Sequence, residues 1–285
     1  MNGIEFMKIL IPQYPLPVIV VSTVSDAIFD AMNAGAVDFV TKPDDTTQNG
    51  MQAFAEDLIQ KIKIASKAKV KKFAPGIETK TDLIKFDYNK IIAIGASTGG
   101  TEALFNVLKK LPPTIPGIVI VQHIPPVFSR MFSERMNNQT PLSVKESEGN
   151  EFIEVGRVYI APGDKHLRVR KIGNKYKTEL YEGDKVNGHC PSVDVLFRSV
   201  AKECGKNSVG VILTGMGKDG AEGLLEMRKN GAATIGQDEK TSVVYGMPKA
   251  AFDIGAVDGQ YGIEAIPNAI ISAVQKESVT AVSTH

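Results

Sequence analysis

Two cysteines, Cys190 and Cys204, are all that the 285-residue chain carries. Two thiols cannot build the disulfide framework of a small secreted domain, so a reducing compartment is expected. No apolar run approaches the roughly 18 residues of a membrane span. The opening MNGIEFMKIL lacks the basic, apolar and small-residue order of a secretion signal. Charge of one sign is also missing. Against 33 Lys+Arg stand 32 Asp+Glu, a formal net charge of +1, so no global field calls for nucleic acid or an anionic membrane. Zinc-ligand spacing is absent from the Cys and His positions. These absences exclude membrane, secreted and fibrous classes and leave a cytoplasmic globular protein. With 43% hydrophobic and 23% charged residues its composition is ordinary, and its length suits about two domains of roughly 150 residues.

Residues 1–65 read as alternating helix and strand. Met1 to Leu10 is a short amphipathic piece, and PVIVVS (17–22) is a buried-type strand without polar alternation. Ser25 can cap the next helix, which carries Ala27, Ile28, Phe29 and Met32 and stops at Gly35. VDFV (37–40) and a helix from Met51 to Ala65 complete a thin half-sheet. Six lysines from Lys61 to Lys72 then lead into a polar linker, assigned to residues 66–89. The larger unit, 90–278, begins with the strand IIAIG and a helix whose Leu104, Val107, Leu108 and Leu111 keep helical spacing. GIVIVQ and SVGVILTG are further buried strands, with AATIGQ expected to be the last. GRVYIAPG, HLRVRKIG and KTELYEG read as short antiparallel strands. The pattern predicts an α/β fold, a doubly wound and mostly parallel sheet. Residues 279–285 read as a frayed tail.

Gly95-Ala96-Ser97-Thr98-Gly99 fits G-x-S-x-G at a strand-to-helix turn, the context a nucleophilic serine needs. Such a turn also suits a phosphate cradle. The dinucleotide version of that cradle expects an acidic residue at the end of the second strand, where this chain has Gln122-His123. A Walker-type Lys-Ser/Thr is missing as well. His123, at the end of a neighbouring strand, is well placed as general base for Ser97. Asp219, in GMGKDG after another buried strand, is either the N-cap of the following helix or the acid that orients the histidine. His166 and His189 fall on loops and suit substrate binding or local structure; His285 is terminal. Cys190 stays open as an alternative nucleophile.

Residues 90–275 resemble the catalytic domain of the chemotaxis protein-glutamate methylesterases of the CheB type. IIAIGASTGGTEAL, IVIVQHIPPVF, VYIAPGDKHL, PSVDVLF, VILTGMGKDGAEGL and VVYGMPKAA carry the likeness. The resemblance places the family's serine, histidine and aspartate on Ser97, His123 and Asp219, and its oxyanion hole on Thr98 and the backbone N–H of Met216. It implies hydrolysis of glutamate γ-methyl esters on the cytoplasmic helices of chemoreceptors, with deamidation of receptor glutamines as a second activity. No metal or organic cofactor is implied.

Residues 1–65 resemble the second half of a flavodoxin-like response-regulator receiver. Ser22 matches its conformational switch hydroxyl and Lys42, in TKP, its phosphate-contacting lysine. The phosphoacceptor aspartate and the acidic magnesium pair would lie before Met1, and Asp26, Asp30, Asp38, Asp44 and Asp45 do not replace them. Two expectations stand on equal terms: a partial receiver that the family's histidine kinase cannot switch, or an internal Met1 with the rest of the receiver encoded upstream.

Overall fold

The computed structural model describes residues 2–23, 28, 30–32, 34–43, 48–66 and 85–276. Ser25, Asp26, Phe29, Asp44, Asp45, most of the 66–89 linker and the tail with His285 lie outside the described residues. The chain opens with helix α1 (Gly3–Gln13), fixed by a reciprocal cap. The Asn2 side chain accepts from the Glu5 N–H while the Glu5 carboxylate accepts from the Asn2 N–H. Strands β1 (Ile19–Ser22) and β2 (Asp38–Thr41) pair in parallel, with Ser22 beside Thr41. Helix α2 (Gln48–Ala65) follows.

A two-stranded sheet buries too little to stand alone. Met7, Met32 and Phe39 accordingly belong to the same buried cluster as Ile92, Leu104 and Phe132 of the larger unit. The Phe39 ring lies 4.8 Å from that of Phe128.

The larger unit runs β3 (Ile91–Ala96), α3 (Gly100–Leu108), β4 (Ile118–Gln122), α4 (Phe128–Gln139), β5 (Ser143–Glu146) and β6 (Arg157–Ile160). It continues with β7 (His166–Ile172), β8 (Lys175–Tyr181), α5 (Val193–Cys204), β9 (Ser208–Ile212) and α6 (Ala221–Lys229). β10 (Ala233–Gln237), α7 (Met247–Asp253), β11 (Gly259–Tyr261) and α8 (Ile266–Val274) complete it. Seven strands form one sheet in the order β11-β10-β9-β3-β4-β6-β5, and every neighbouring pair is parallel.

A parallel sheet needs cover on both faces, and β3 shows how alternation supplies it. Ile92 and Ile94 point into the cluster with Leu104, Phe132 and Ile270 of α3, α4 and α8. Ile91 and Ala93 point into the opposite cluster with Phe197, Leu224 and Met247 of α5, α6 and α7. The chain leaves β3 toward β4 on one side and returns to β9 on the other, so the strand order reverses there. That is where α/β sheets open a crevice at their carboxyl ends.

Two sequence expectations need correction. RVYI does not join the antiparallel hairpin; it is β6, parallel between β4 and β5. Its Val158, Tyr159 and Ile160 are all buried, as befits a strand covered on both faces. Among the named strands of the described residues only β7 and β8 pair antiparallel, outside the main sheet. AATIGQ is not the last strand either. β11 (GQY) adds an edge of only three residues beyond it, too short and glycine-bearing to show a period.

Helix α5 crosses β3 at Gly95, where an added Cβ would stand 2.2 Å from Val193 Cγ1. Gly95→Ala should destabilise the protein by about 1–3 kcal/mol, the usual cost of overpacking. A urea unfolding curve checks this; an unchanged midpoint would mean that α5 shifts without penalty.

Candidate active site

The carboxyl ends of β3, β4 and β9 gather the three predicted side chains. Ala96 is the register partner of Gln122, so the next residues, Ser97 and His123, leave adjacent strands side by side. The Gln122 side chain fastens that pair: its Nε2 donates to the Ser97 carbonyl at 2.9 Å and to the His123 carbonyl at 3.1 Å. Gly99, in the left-handed region at φ 75, turns the chain into α3. A Cβ at Gly99 would also come within 2.6 Å of the Val243 side chain, so glycine is required there for both conformation and space.

His123 Nε2 lies 2.8 Å from Asp219 Oδ2. An ionised carboxylate only accepts, so Nε2 carries the proton and Nδ1 is left as the basic nitrogen. Nδ1 is buried and has no hydrogen-bond partner among the described residues. The Ser97 hydroxyl, on the residue that leaves the adjacent strand, makes no hydrogen bond to Nδ1 among the described residues; catalytic contacts of this kind commonly close only when substrate binds.

Asp219 does not cap its own helix. That position belongs to Gly220, which offers no side-chain cap. Its carboxylate instead sits at the N-terminus of α5, where helix N–H groups favour an anion. Oδ2 accepts from Val193 N at 2.7 Å, and Oδ1 from Ser192 Oγ at 2.8 Å and Asp194 N at 3.2 Å. Asn187 Nδ2 donates to Oδ1 at 3.0 Å and also to Asp194 Oδ2 at 2.7 Å. Burial alone would raise the Asp219 pKa, but His123, Asn187 and Ser192 together hold it far below the usual carboxylate range. Asp194 lacks that saturation, and burial pushes its pKa up.

No hydrogen bond within the described residues takes the backbone N–H of Thr98 or Met216. Thr98 is buried, and Met216, after β9, is exposed. The Thr98 hydroxyl donates to Asp38 Oδ2 at 3.2 Å, so the N-terminal unit touches the residue next to Ser97. Burial raises the Asp38 pKa, with Lys61 opposing it. Ser22 and Lys42 come together at the end of β1, the Lys42 N–H donating to the Ser22 carbonyl at 3.1 Å.

Cys190 is half-buried and unpaired as a thiol, and burial followed by Asp164 pushes its pKa up. That is the wrong direction for a thiolate nucleophile. His166 holds local structure. Its Nδ1 accepts from Ser192 N at 3.2 Å and its Nε2 meets the Asp184 carbonyl at 3.0 Å. Reasoning from sequence missed Gln122, Asn187, Ser192 and Asp194, whose partners are brought close only by the fold. The Asn187-Gly188 turn signal was the one local hint. Among the described residues no His, Cys, Asp and Glu group could hold a metal ion, and no helix is long and apolar enough to cross a membrane.

This combination defines the class: a doubly wound α/β protein with serine, histidine and aspartate converging at its switch point. Residues 92–270 match the family model for CheB methylesterase. The protein-glutamate methylesterase/protein-glutamine glutaminase 2 of Syntrophomonas wolfei is 49% identical over 97% of this chain and 81% of its own length. The protein-glutamate methylesterase/protein-glutamine glutaminase of Sulfurimonas denitrificans is 44% identical over 90% of this chain and 77% of its own. The crystal structure of the Thermotoga maritima CheB methylesterase catalytic domain superposes with a TM-score of 0.63. It shares 38% identity over 64% of this chain and 97% of that one. The chain belongs to the CheB methylesterase family.

The carboxylate geometry sets a pH dependence. A group held below its unfolded pKa, about 3.9 for Asp, stabilises the fold above that value. The contribution is lost as the pH falls toward the folded value. Wild type should therefore lose stability steeply below about pH 5. Asp219→Asn should be weaker at neutral pH by about 2 kcal/mol and flatter with acid. Unfolding free energies between pH 7 and 3 test this; parallel curves would contradict it.

Proposed function

We propose that this chain is a protein-glutamate methylesterase, and a protein-glutamine glutaminase, acting on the cytoplasmic helices of chemoreceptors in chemotactic adaptation. One observation carries the reading: His123, next in register to Ser97, has its Nε2 held by Asp219 and a buried Nδ1 with no hydrogen-bond partner among the described residues. The names of the relatives supply the substrate class.

His123 Nδ1 takes the proton of Ser97 as Oγ attacks the γ-carbonyl carbon of the methyl ester. The resulting imidazolium is stabilised by the Asp219 carboxylate, which itself stays ionised. The oxyanion is met by the free N–H groups of Thr98 and Met216, fixed before the reaction starts and so costing no reorganisation. The tetrahedral adduct expels methanol, protonated by His123, and leaves a glutamyl ester on Ser97. A water deprotonated by His123 then releases glutamate and free Ser97. A glutamine side chain enters the same acyl intermediate with loss of ammonia. No step calls for a metal or an organic cofactor.

The contacts between residues 1–65 and the catalytic unit fit a receiver-like segment seated against the catalytic face, with Ser22 and Lys42 as its switch-hydroxyl and lysine counterparts. The decisive experiment is methanol release from methylated receptor membranes. Ser97→Ala and His123→Ala should each lose on the order of 10⁴-fold in kcat, and the double variant no more, because the members act as one unit. Cys190→Ala should keep near-normal turnover. An active Ser97→Ala, or a dead Cys190→Ala, would move the nucleophile to the cysteine.

A further inference from the structure

A second histidine lies against the proposed base. The His189 ring stacks on that of His123, centroids 3.7 Å apart and planes 11° from parallel. Nothing in the chemistry above uses it. The short hairpin that carries it is built for placement. Val186 and His189 exchange both backbone hydrogen bonds, at 3.0 and 2.9 Å. The two residues between them, Asn187 at φ 52 and Gly188 at φ 84, are both left-handed, as a two-residue hairpin turn of the favoured twist demands. The turn is anchored by the Asn187 amide, bonded to both Asp219 and Asp194. One four-residue hairpin thus grips the aspartate with one side chain and covers the histidine with another.

Building on the assignment of His123 as general base, we propose that His189 is a positioning residue for the same reaction, a neutral aromatic face that fixes the His123 ring and stabilises its imidazolium. The charges around it support that state. Burial, then His123 and Lys185, lower the His189 pKa to about 4, with Asp219 alone opposing them. At working pH its ring is therefore uncharged and does not repel a proton arriving on His123. A stacked ring of this kind attracts a cation more than a neutral imidazole. His123 gains a positive charge as it takes the Ser97 proton. The interaction is strongest in the transition state, so it raises kcat and leaves substrate binding alone. It also restricts ring rotation, keeping Nδ1 toward Ser97 while Asp219 holds Nε2.

The test compares His189→Ala, His189→Phe and wild type in the full chain, on methylated receptor membranes, with thermal unfolding recorded for each. His189→Ala should lose kcat on the order of 5- to 10-fold with KM unchanged, and His189→Phe should recover most of that loss because it keeps the ring. If the alanine variant does not fold, His189→Gln, planar but without an aromatic face, should show the same loss. Wild-type kcat in His189→Ala, a change confined to KM, or a phenylalanine variant as impaired as the alanine one would overturn the proposal. So would a loss that follows the unfolding temperature across all variants. Ser97→Ala run in parallel separates the two ideas. If it is inactive while His189→Ala is normal, only the role of His189 falls; if it is active, the underlying reading falls first.

Discussion

A carboxylate taken out of water stays ionised only where donors replace its hydration. Asp219 is 1% exposed, and its two oxygens are met by His123, Asn187, Ser192 and the N–H groups of Val193 and Asp194. Those donors come from three separate stretches of chain: the end of β4, the 186–189 hairpin and the start of α5. The charge therefore does two things at once. It ties the loop after β9 to the helix that packs across β3, and it fixes which nitrogen of His123 is protonated. Remove the charge and the donors face one another without an acceptor, a buried mismatch that costs more than the bonds themselves contribute.

The neighbouring carboxylate shows the contrast that makes this selective. Asp194 is as deeply buried as Asp219, and it receives Gly223 N and Asn187 Nδ2, each at 2.7 Å. Among the described residues it has no cationic or imidazole partner at hydrogen-bond distance, and its pKa moves up while that of Asp219 moves down. Two acids bridged by a single amide nitrogen cannot both hold full charge cheaply, since like charges in a poorly solvated site raise one pKa of the pair. The helix N-terminus and the histidine decide in favour of Asp219. That choice keeps the negative charge where an imidazolium can form.

Legibility in the sequence followed the range of the interaction. The main strands were readable because both faces of a parallel sheet are covered, which leaves unbroken runs such as IIAIG and GIVIVQ. Ser97, His123 and Asp219 were readable because each ends such a run and carries distinctive chemistry. The hairpin region failed because RVYI is as β-branched and apolar as a half-buried strand, and only its neighbours reveal that it is parallel. Asn187, Ser192 and Asp194 carried no periodic signal, since what makes them matter is a carboxylate that arrives from residue 219. His189 was visible as a loop histidine, but a stacking partner 66 positions upstream in the chain cannot be inferred from spacing.

The N-terminal segment raises a question of cost that the same physics answers. Two parallel strands and their helices would leave Phe39, Met7 and Met32 in water if they stood apart, and burying each such side chain is worth roughly 1.5–3 kcal/mol. Seating them against Phe128 and the α3–α4 face recovers that area. The same seating buries Asp38, which burial pushes toward its neutral form. Lys61, 3.6 Å away, and the Thr98 hydroxyl offset the penalty only in part, because a buried ion pair rarely gains more than desolvation takes. The contact is thus driven by apolar area and weakened by its own polar centre. That polar centre lies on Thr98, immediately beside Ser97, so the least favourable part of the interface is also the part nearest the proposed chemistry.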